Sequence, residues 1–355
     1  MNSILKSKQS LGLFLLVCGI MLFTSCTNAN VELAKSGIAA ATTATSTPQL
    51  TLSATLTPVP LSPTPLDITL TPLFDFVFPT ATATPTVMPT LTSTPLPPCT
   101  EPGHLTDGVV TSTLTKGGDM AYRIYLPPCY GRDGRNYPTL YMIAGNNQAA
   151  GIWDYLGLDE AAEEAVLKGE IPPYIIVMVS SGLLALTTNG GPGSYEQFFM
   201  DELIPAIEAD YCAWPDSTGR ALGGLSRGGY WSLEIAFRHP EEFAGVGGHS
   251  SSLYDYSAEP DVNPQFTGVN NELGELRVYM DIGEQDIGIY NTRKLHEDME
   301  TAGVAHEWVL NPGLHDHPYW RTHVSDYVAW YGSLWSHDRG AYPLCDKPAP
   351  DDFQK

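Results

Sequence analysis

Basic residues are scarce in this chain: 18 Lys and Arg stand against 40 Asp and Glu, a formal net charge of −22. No basic stripe offsets that field, which disfavours nucleic acid and other polyanions as partners. A long hydrophobic run is missing too, since the apolar stretch at 11–23 falls short of the ~18–20 residues a membrane-crossing helix needs. Metal-ligand spacing among Cys, His and carboxylates is also lacking. The one exception is the pair His315 and His317, which could be half of a site; no metal and no cofactor is expected. Between 40 and 98 there is not one Lys or Arg, and Asp67 and Asp75 are the only charges.

What is there divides the chain into three. Residues 1–25 carry Lys6 and Lys8 ahead of the apolar run and end Thr24-Ser25, the pattern of a bacterial secretion signal. Cys26 follows at once, as the lipid-bearing cysteine of a lipoprotein does. The mature protein is therefore expected outside the cell, held to the membrane through a lipid anchor only. Without Lys6 and Lys8 it keeps 16 basic residues against 40 acidic ones. Residues 26–98 read as the lipidation site plus a disordered stalk. Its Thr-Pro repeats cannot pack a core, and the prolines favour extended segments. The apolar patch Leu73-Phe74-Asp75-Phe76-Val77-Phe78 interrupts it without an assigned role.

Residues 99–355 suit one domain. An antiparallel pair is expected at 109–114 and 120–126, turning at Gly117-Gly118. Parallel strands follow at 140–143, 175–179, 221–222, 246–248, 278–281 and 308–310, with a closing helix at 318–335. Four cysteines remain, Cys99, Cys129, Cys212 and Cys345, and an oxidising compartment favours disulfides. Cys99 and Cys129 flank the hairpin and can meet, which leaves Cys212 for Cys345.

Gly224-Leu225-Ser226-Arg227-Gly228 is the most informative stretch. A serine on a strained turn between strand and helix requires two backbones to pass close by, so the positions two before and two after it favour residues without a Cβ. The context fits: Arg220-Ala221-Leu222-Gly223 can end a buried strand, and Gly229 to Arg238 reads as a helix stopped by Pro240. Downstream, the β-prone run 276–282 opens into Gly283-Glu284-Gln285-Asp286, and a second short run leads into Gly313-Leu314-His315-Asp316-His317. An acid and a histidine thus each follow a strand end, the edge where open α/β sheets place chemistry. The roles that result are Ser226 as nucleophile on a carbonyl, His315 as proton carrier, and Asp286 as the partner that orients the imidazole. Asp281 and Glu284 are rivals of Asp286, and His317 of His315.

Together with Tyr137-Pro138-Thr139-Leu140-Tyr141-Met142-Ile143, Tyr195-Glu196-Gln197-Phe198-Phe199, Glu202-Leu203-Ile204-Pro205 and His239-Pro240-Glu241-Glu242-Phe243, these motifs make 122–335 resemble the Putative esterase family of α/β-hydrolases. That family includes feruloyl and acetyl-xylan esterases, enterochelin esterases and mycolyltransferases. The resemblance implies an α/β-hydrolase fold, a mostly parallel central sheet flanked by helices with an N-terminal antiparallel hairpin. Its triad falls on the same Ser226, Asp286 and His315. One oxyanion-hole donor is the N–H of Arg227, set by the elbow itself; the resemblance puts the other on Asn146. Many members carry His-Gly where this chain has Ala144-Gly145. Trp153, Tyr155, Tyr195 and Trp320 lie near the active-edge loops as candidate substrate walls. The expected substrate is a small-molecule or glycan ester, with acyl or feruloyl carbohydrate esters foremost. A siderophore ester, acyl transfer in the cell envelope and a non-catalytic surface module are the alternatives.

Overall fold

The computed structural model describes residues 99–347, apart from residue 116 and residues 254–257. The leader, Cys26, the stalk and the 73–78 patch lie outside the described residues. Eight strands form one sheet: β1 (His104–Thr111), β2 (Asp119–Leu126), β3 (Thr139–Ile143), β4 (Ile175–Val179), β5 (Arg220–Leu225), β6 (Gly245–His249), β7 (Arg277–Gly283) and β8 (Glu307–Asn311). Their spatial order is β1-β2-β4-β3-β5-β6-β7-β8. β1–β2 and β2–β4 pair antiparallel, and every other neighbour is parallel.

Strands β3, β4 and β6 are buried along their whole length, as strands covered on both faces must be. Alternation then sends side chains to opposite layers. Tyr141 and Ile143 of β3 join one core cluster, Leu140 and Met142 the other. Four longer helices supply the covers: α1 (Leu158–Lys168), α2 (Arg227–Arg238), α3 (Ile289–Ala302) and α4 (His317–Gly332). α2 and α3 pack in the first cluster through Trp231, Phe237, Leu295 and Met299; α1 and α4 pack in the second through Leu158, Ala162, Tyr327 and Tyr331.

The hairpin differs from expectation. β1 runs from His104 to Thr111 rather than over 109–114, because it is an edge strand with most of its residues partly exposed, and such a strand shows little hydrophobic pattern in sequence. Beyond it Ser112 N–H already bonds Gly118 O across the turn.

Both disulfides form as the cysteine spacing suggested, Cys99–Cys129 and Cys212–Cys345, with sequence separations of 30 and 133. The second pins the C-terminal tail beside the start of β3, where Asn136 N–H donates to Pro343 O at 2.8 Å and Cys345 N–H to Gly134 O at 2.9 Å. Replacing Cys212 and Cys345 by Ser is expected to lower unfolding stability by about 3–5 kcal/mol, and the Cys99–Cys129 pair by less, because loop closure constrains the unfolded chain more for a longer loop. Urea unfolding of the two double variants checks this, and an equal or reversed ranking would count against it.

Candidate active site

Ser226 stands between β5 and α2 at φ 57° and ψ −119°, a backbone that a residue with a Cβ keeps only where its surroundings over-determine it. The flanking glycines supply that. A Cβ on Gly224 would lie 2.3 Å from Gly228 O, and one on Gly228 would lie 2.3 Å from Ile143 O and 2.6 Å from Ala144 O. The end of β6 grips the turn from the other side: Ser226 N–H donates to His249 O at 3.0 Å, and Ser252 N–H donates to Ser226 O at 2.9 Å.

The loops after β7 and β8 cross closely as well. A Cβ on Gly283 would sit 2.4 Å from Gly313 O, and Gln285 N–H donates to that same oxygen at 3.0 Å. This crossing brings Asp286 and His315 together. His315 Nε2 is 2.9 Å from Ser226 Oγ, and His315 Nδ1 is 2.9 and 3.0 Å from the two oxygens of Asp286. Asp286 is buried, and its Oδ1 also accepts from Gly288 N–H at 2.6 Å. With both carboxylate oxygens accepting, Nδ1 carries the proton and Nε2 is left to accept from the Ser226 hydroxyl. Ser226, His315 and Asp286 thus lie in one hydrogen-bonded line, the arrangement that a nucleophile, its base and an orienting acid require.

The rival residues have other partners. Asp281 lies inside β7, fully buried, accepting from Tyr319 Oη at 2.7 Å and Tyr327 Oη at 2.8 Å and facing His249 Nδ1 at 2.7 Å. Burial holds the Tyr327 hydroxyl well above its ordinary pKa, so it stays a protonated donor. Glu284 is exposed. His317 Nε2 faces Gln148 Nε2 at 3.3 Å, whereas the hydrogen bonds to Ser226 Oγ and Asp286 come from His315. The ring nitrogens of His315 are both engaged, by Asp286 and by Ser226. Among the described residues the carboxylates that converge are Asp154, Asp159 and Glu160, and Arg123 pairs with the first of them.

A cavity of 480 Å³ opens over the line, walled by Gly145, Asn146, Gln148, Ser226, His315 and Trp320 among others. Gly145 to Gln148 is a turn closed by Gln148 N–H donating to Gly145 O at 3.1 Å, with Asn147 at φ 56°. Gly145 N–H is spent on Gln148 Oε1 at 2.8 Å. No acceptor among the described residues takes Asn146 N–H. Asn146 N–H and the N-terminal end of α2, where Arg227 begins, are both sources of positive potential beside Ser226.

Two of the expected substrate walls need correction. Trp153 and Tyr195 are 0% exposed. Trp153 donates through Nε1 to Ile143 O at 3.1 Å, and Tyr195 Oη donates to Ser180 O at 2.9 Å. Their indole and phenol groups find backbone acceptors inside the core, as buried amphipathic aromatics do. Trp320 does line the cavity, edge-on to His315 with ring centroids 5.1 Å apart. Tyr155 is 60% exposed and lies edge-on to His317 at 5.6 Å. Sequence reasoning missed Ser252, whose Oγ is 3.1 Å from Ser226 Oγ, and Gln148. Neither belongs to a motif; the only available signal for Ser252 was its place just beyond the end of β6.

Replacing Ser226 or His315 by Ala is expected to lower ester turnover by about 10⁶-fold with the fold kept, and His317→Ala by far less. Steady-state rates beside thermal melts check this, and a His317 variant as impaired as the His315 variant would reverse the assignment. For the second donor, Asn146→Pro removes the N–H at a turn position that tolerates proline, and should cost ~10²–10³ in kcat. Asn146→Ala keeps the N–H and should cost little. Equal losses would move the donor to the asparagine side chain.

The Putative esterase family matches residues 112–331, more than half of the chain. An esterase of Mycobacterium tuberculosis is 32% identical over 145 residues, 39% of this chain and 30% of that protein. An endo-1,4-beta-xylanase/feruloyl esterase of Xylanibacter ruminicola is 32% identical over 141 residues, 37% of this chain and 19% of that protein. The chain thus spans less than a third of the length of either curated relative. A solved ferulic acid esterase superposes with a TM-score of 0.58 at 24% identity, over 66% of this chain and 100% of that one, a likeness of fold. The family match takes in the serine turn, the acid and the histidine on an α/β-hydrolase sheet, and this chain belongs to the Putative esterase family.

Proposed function

We infer that this chain is a serine carboxylic-ester hydrolase acting through an acyl-enzyme on acyl esters of carbohydrates, acetyl or feruloyl. The observation that carries the reading is the line from Ser226 Oγ through the His315 ring to Asp286, at 2.9 Å on either side. In this reading Ser226 Oγ attacks the ester carbonyl carbon while His315 Nε2 takes its proton, and Asp286 stabilises the imidazolium. The carbonyl oxygen gathers charge toward the N–H groups of Arg227 and Asn146, where fixed donors act most strongly in a site that excludes water. His315 then protonates the departing alcohol. Water follows the same path in reverse and frees Ser226. Trp320 supplies the apolar wall that a short or aromatic acyl group would pack on.

The carbohydrate part of the reading is supported by the endo-1,4-beta-xylanase/feruloyl esterase among the relatives, and the short acyl part by an acetyl esterase of Caldicellulosiruptor saccharolyticus, 23% identical over 235 residues. Export and lipidation at Cys26 are supported by the leader pattern of 1–25 and by the two disulfides, which persist in oxidising compartments.

A panel of p-nitrophenyl acyl esters and methyl hydroxycinnamates tests the reading. Short acyl or hydroxycinnamoyl esters should be hydrolysed, and a fluorophosphonate probe should label Ser226. Turnover confined to long-chain esters would overturn the substrate class, whereas inertness to every ester and to the probe would leave a binding module. Product analysis with a sugar acceptor present separates hydrolysis from acyl transfer.

A further inference from the structure

The mechanism above makes no use of Ser252, although its Oγ lies 3.1 Å from Ser226 Oγ and the residue is buried. The rest of the line decides which hydroxyl donates. Asp286 accepts from Gly288 N–H and from His315 Nδ1–H, so His315 Nε2 is an acceptor. Ser226 has one hydroxyl proton, and it goes to Nε2. Toward Ser252 the Ser226 oxygen offers only lone pairs, so Ser252 is the donor. The placement is held by backbone as well: Ser252 N–H donates to Ser226 O at 2.9 Å while Ser226 N–H donates to His249 O at 3.0 Å. Truncating the Ser252 side chain leaves both of these bonds in place.

We propose that Ser252 is a further catalytic residue, whose hydroxyl donates to Ser226 Oγ and stabilises the charge that gathers there as the nucleophile gives up its proton. The proposal rests on the esterase reading. In acylation the Ser226 proton passes to His315 Nε2, the Oγ–carbon bond forms, and the carbonyl π pair moves to its oxygen. The pair returns as the carbon–alkoxide bond breaks, and His315 gives its proton to the leaving alcohol. In deacylation water gives its proton to His315, its oxygen bonds the carbonyl carbon, and Ser226 Oγ leaves with the bonding pair and recovers the proton. Oγ is most negative as attack begins and as it departs, and a hydrogen bond to it is then charge-assisted. In the acyl-enzyme between them Oγ is an ester oxygen, a poor acceptor. The Ser252 bond is therefore stronger in the acylation transition state than to the neutral hydroxyl of resting Ser226. It is also stronger in the deacylation transition state than to the ester oxygen of the acyl-enzyme, which is the condition for it to accelerate each step.

The test starts from wild type, hydrolysing p-nitrophenyl acetate and labelled by a fluorophosphonate, with Ser226→Ala as control. Failure of either strikes the esterase reading itself and not the role of Ser252. Against that baseline, Ser252→Ala should lose roughly 10- to 100-fold in kcat and in kcat/KM together, with KM and the thermal transition unchanged. The rate of fluorophosphonate labelling should fall in proportion. Ser252→Thr and Ser252→Val differ from each other only in the hydroxyl and decide the matter should the alanine variant fold poorly. The threonine variant should recover most of the lost rate and the valine variant none. Wild-type rates in the alanine or valine variant, equal losses in threonine and valine, or a change confined to KM would overturn the proposal.

Discussion

The backbone at the start of α2 runs so close to the end of β3 that no side chain fits between them. Gly228 sits against the carbonyls of Ile143 and Ala144, and Gly224, which pairs with Ile143 in the sheet, sits against Gly228. With helix and strands pinched together, the chain between them is forced outward into the left-handed conformation seen at Ser226. The same pinch sets Gly228 of α2 against the carbonyls that lead into the turn at Gly145–Gln148, and both that turn and Ser226, just ahead of α2, line the cavity. A methyl group at Gly228 would separate all of these at once.

Two His–Asp couples lie in succession along this edge, and their surroundings give them different work. His315 and Asp286 sit on crossing loops, with the histidine partly open to the cavity. His249 and Asp281 lie within the sheet, where His249 Nε2 also meets Tyr331 Oη at 3.0 Å. A buried carboxylate needs its lone pairs filled, and Tyr319 and Tyr327 fill those of Asp281. Tyr319 in turn packs on Gly313, where a Cβ would come within 2.3 Å of its ring. The inner couple thereby braces the loop that carries the outer histidine.

The parallel strands and the serine turn were legible because each rests on a local rule: apolar runs for covered strands, glycines where backbones touch, an acid and a histidine after strand ends. Asp286 was separable from Asp281 by its distance from the strand proper, and the structure puts Asp281 inside β7. The aromatic walls were not legible. Trp153 and Tyr155 are two residues apart on one short helix, one buried and the other open, and the packing of that helix decides which is which. Ser252 was invisible for a related reason: its approach to Ser226 comes from the neighbouring strand's end and has no spacing in the chain. The start of β1 was misjudged because an edge strand shows little contrast between its faces.

The Cys212–Cys345 bridge has a consequence that concerns durability. Ser226, Asp286 and His315 all fall inside the covalent ring it closes, as do β5 to β8 and α2 to α4. A single peptide-bond cut by a protease in any loop of that ring opens the chain without dividing it. The severed ends stay joined through the sulfur bridge and through the sheet between them. A nicked molecule would thus keep Ser226, His315 and Asp286 on one connected body, and only a second cut or a reductant would set part of the site adrift.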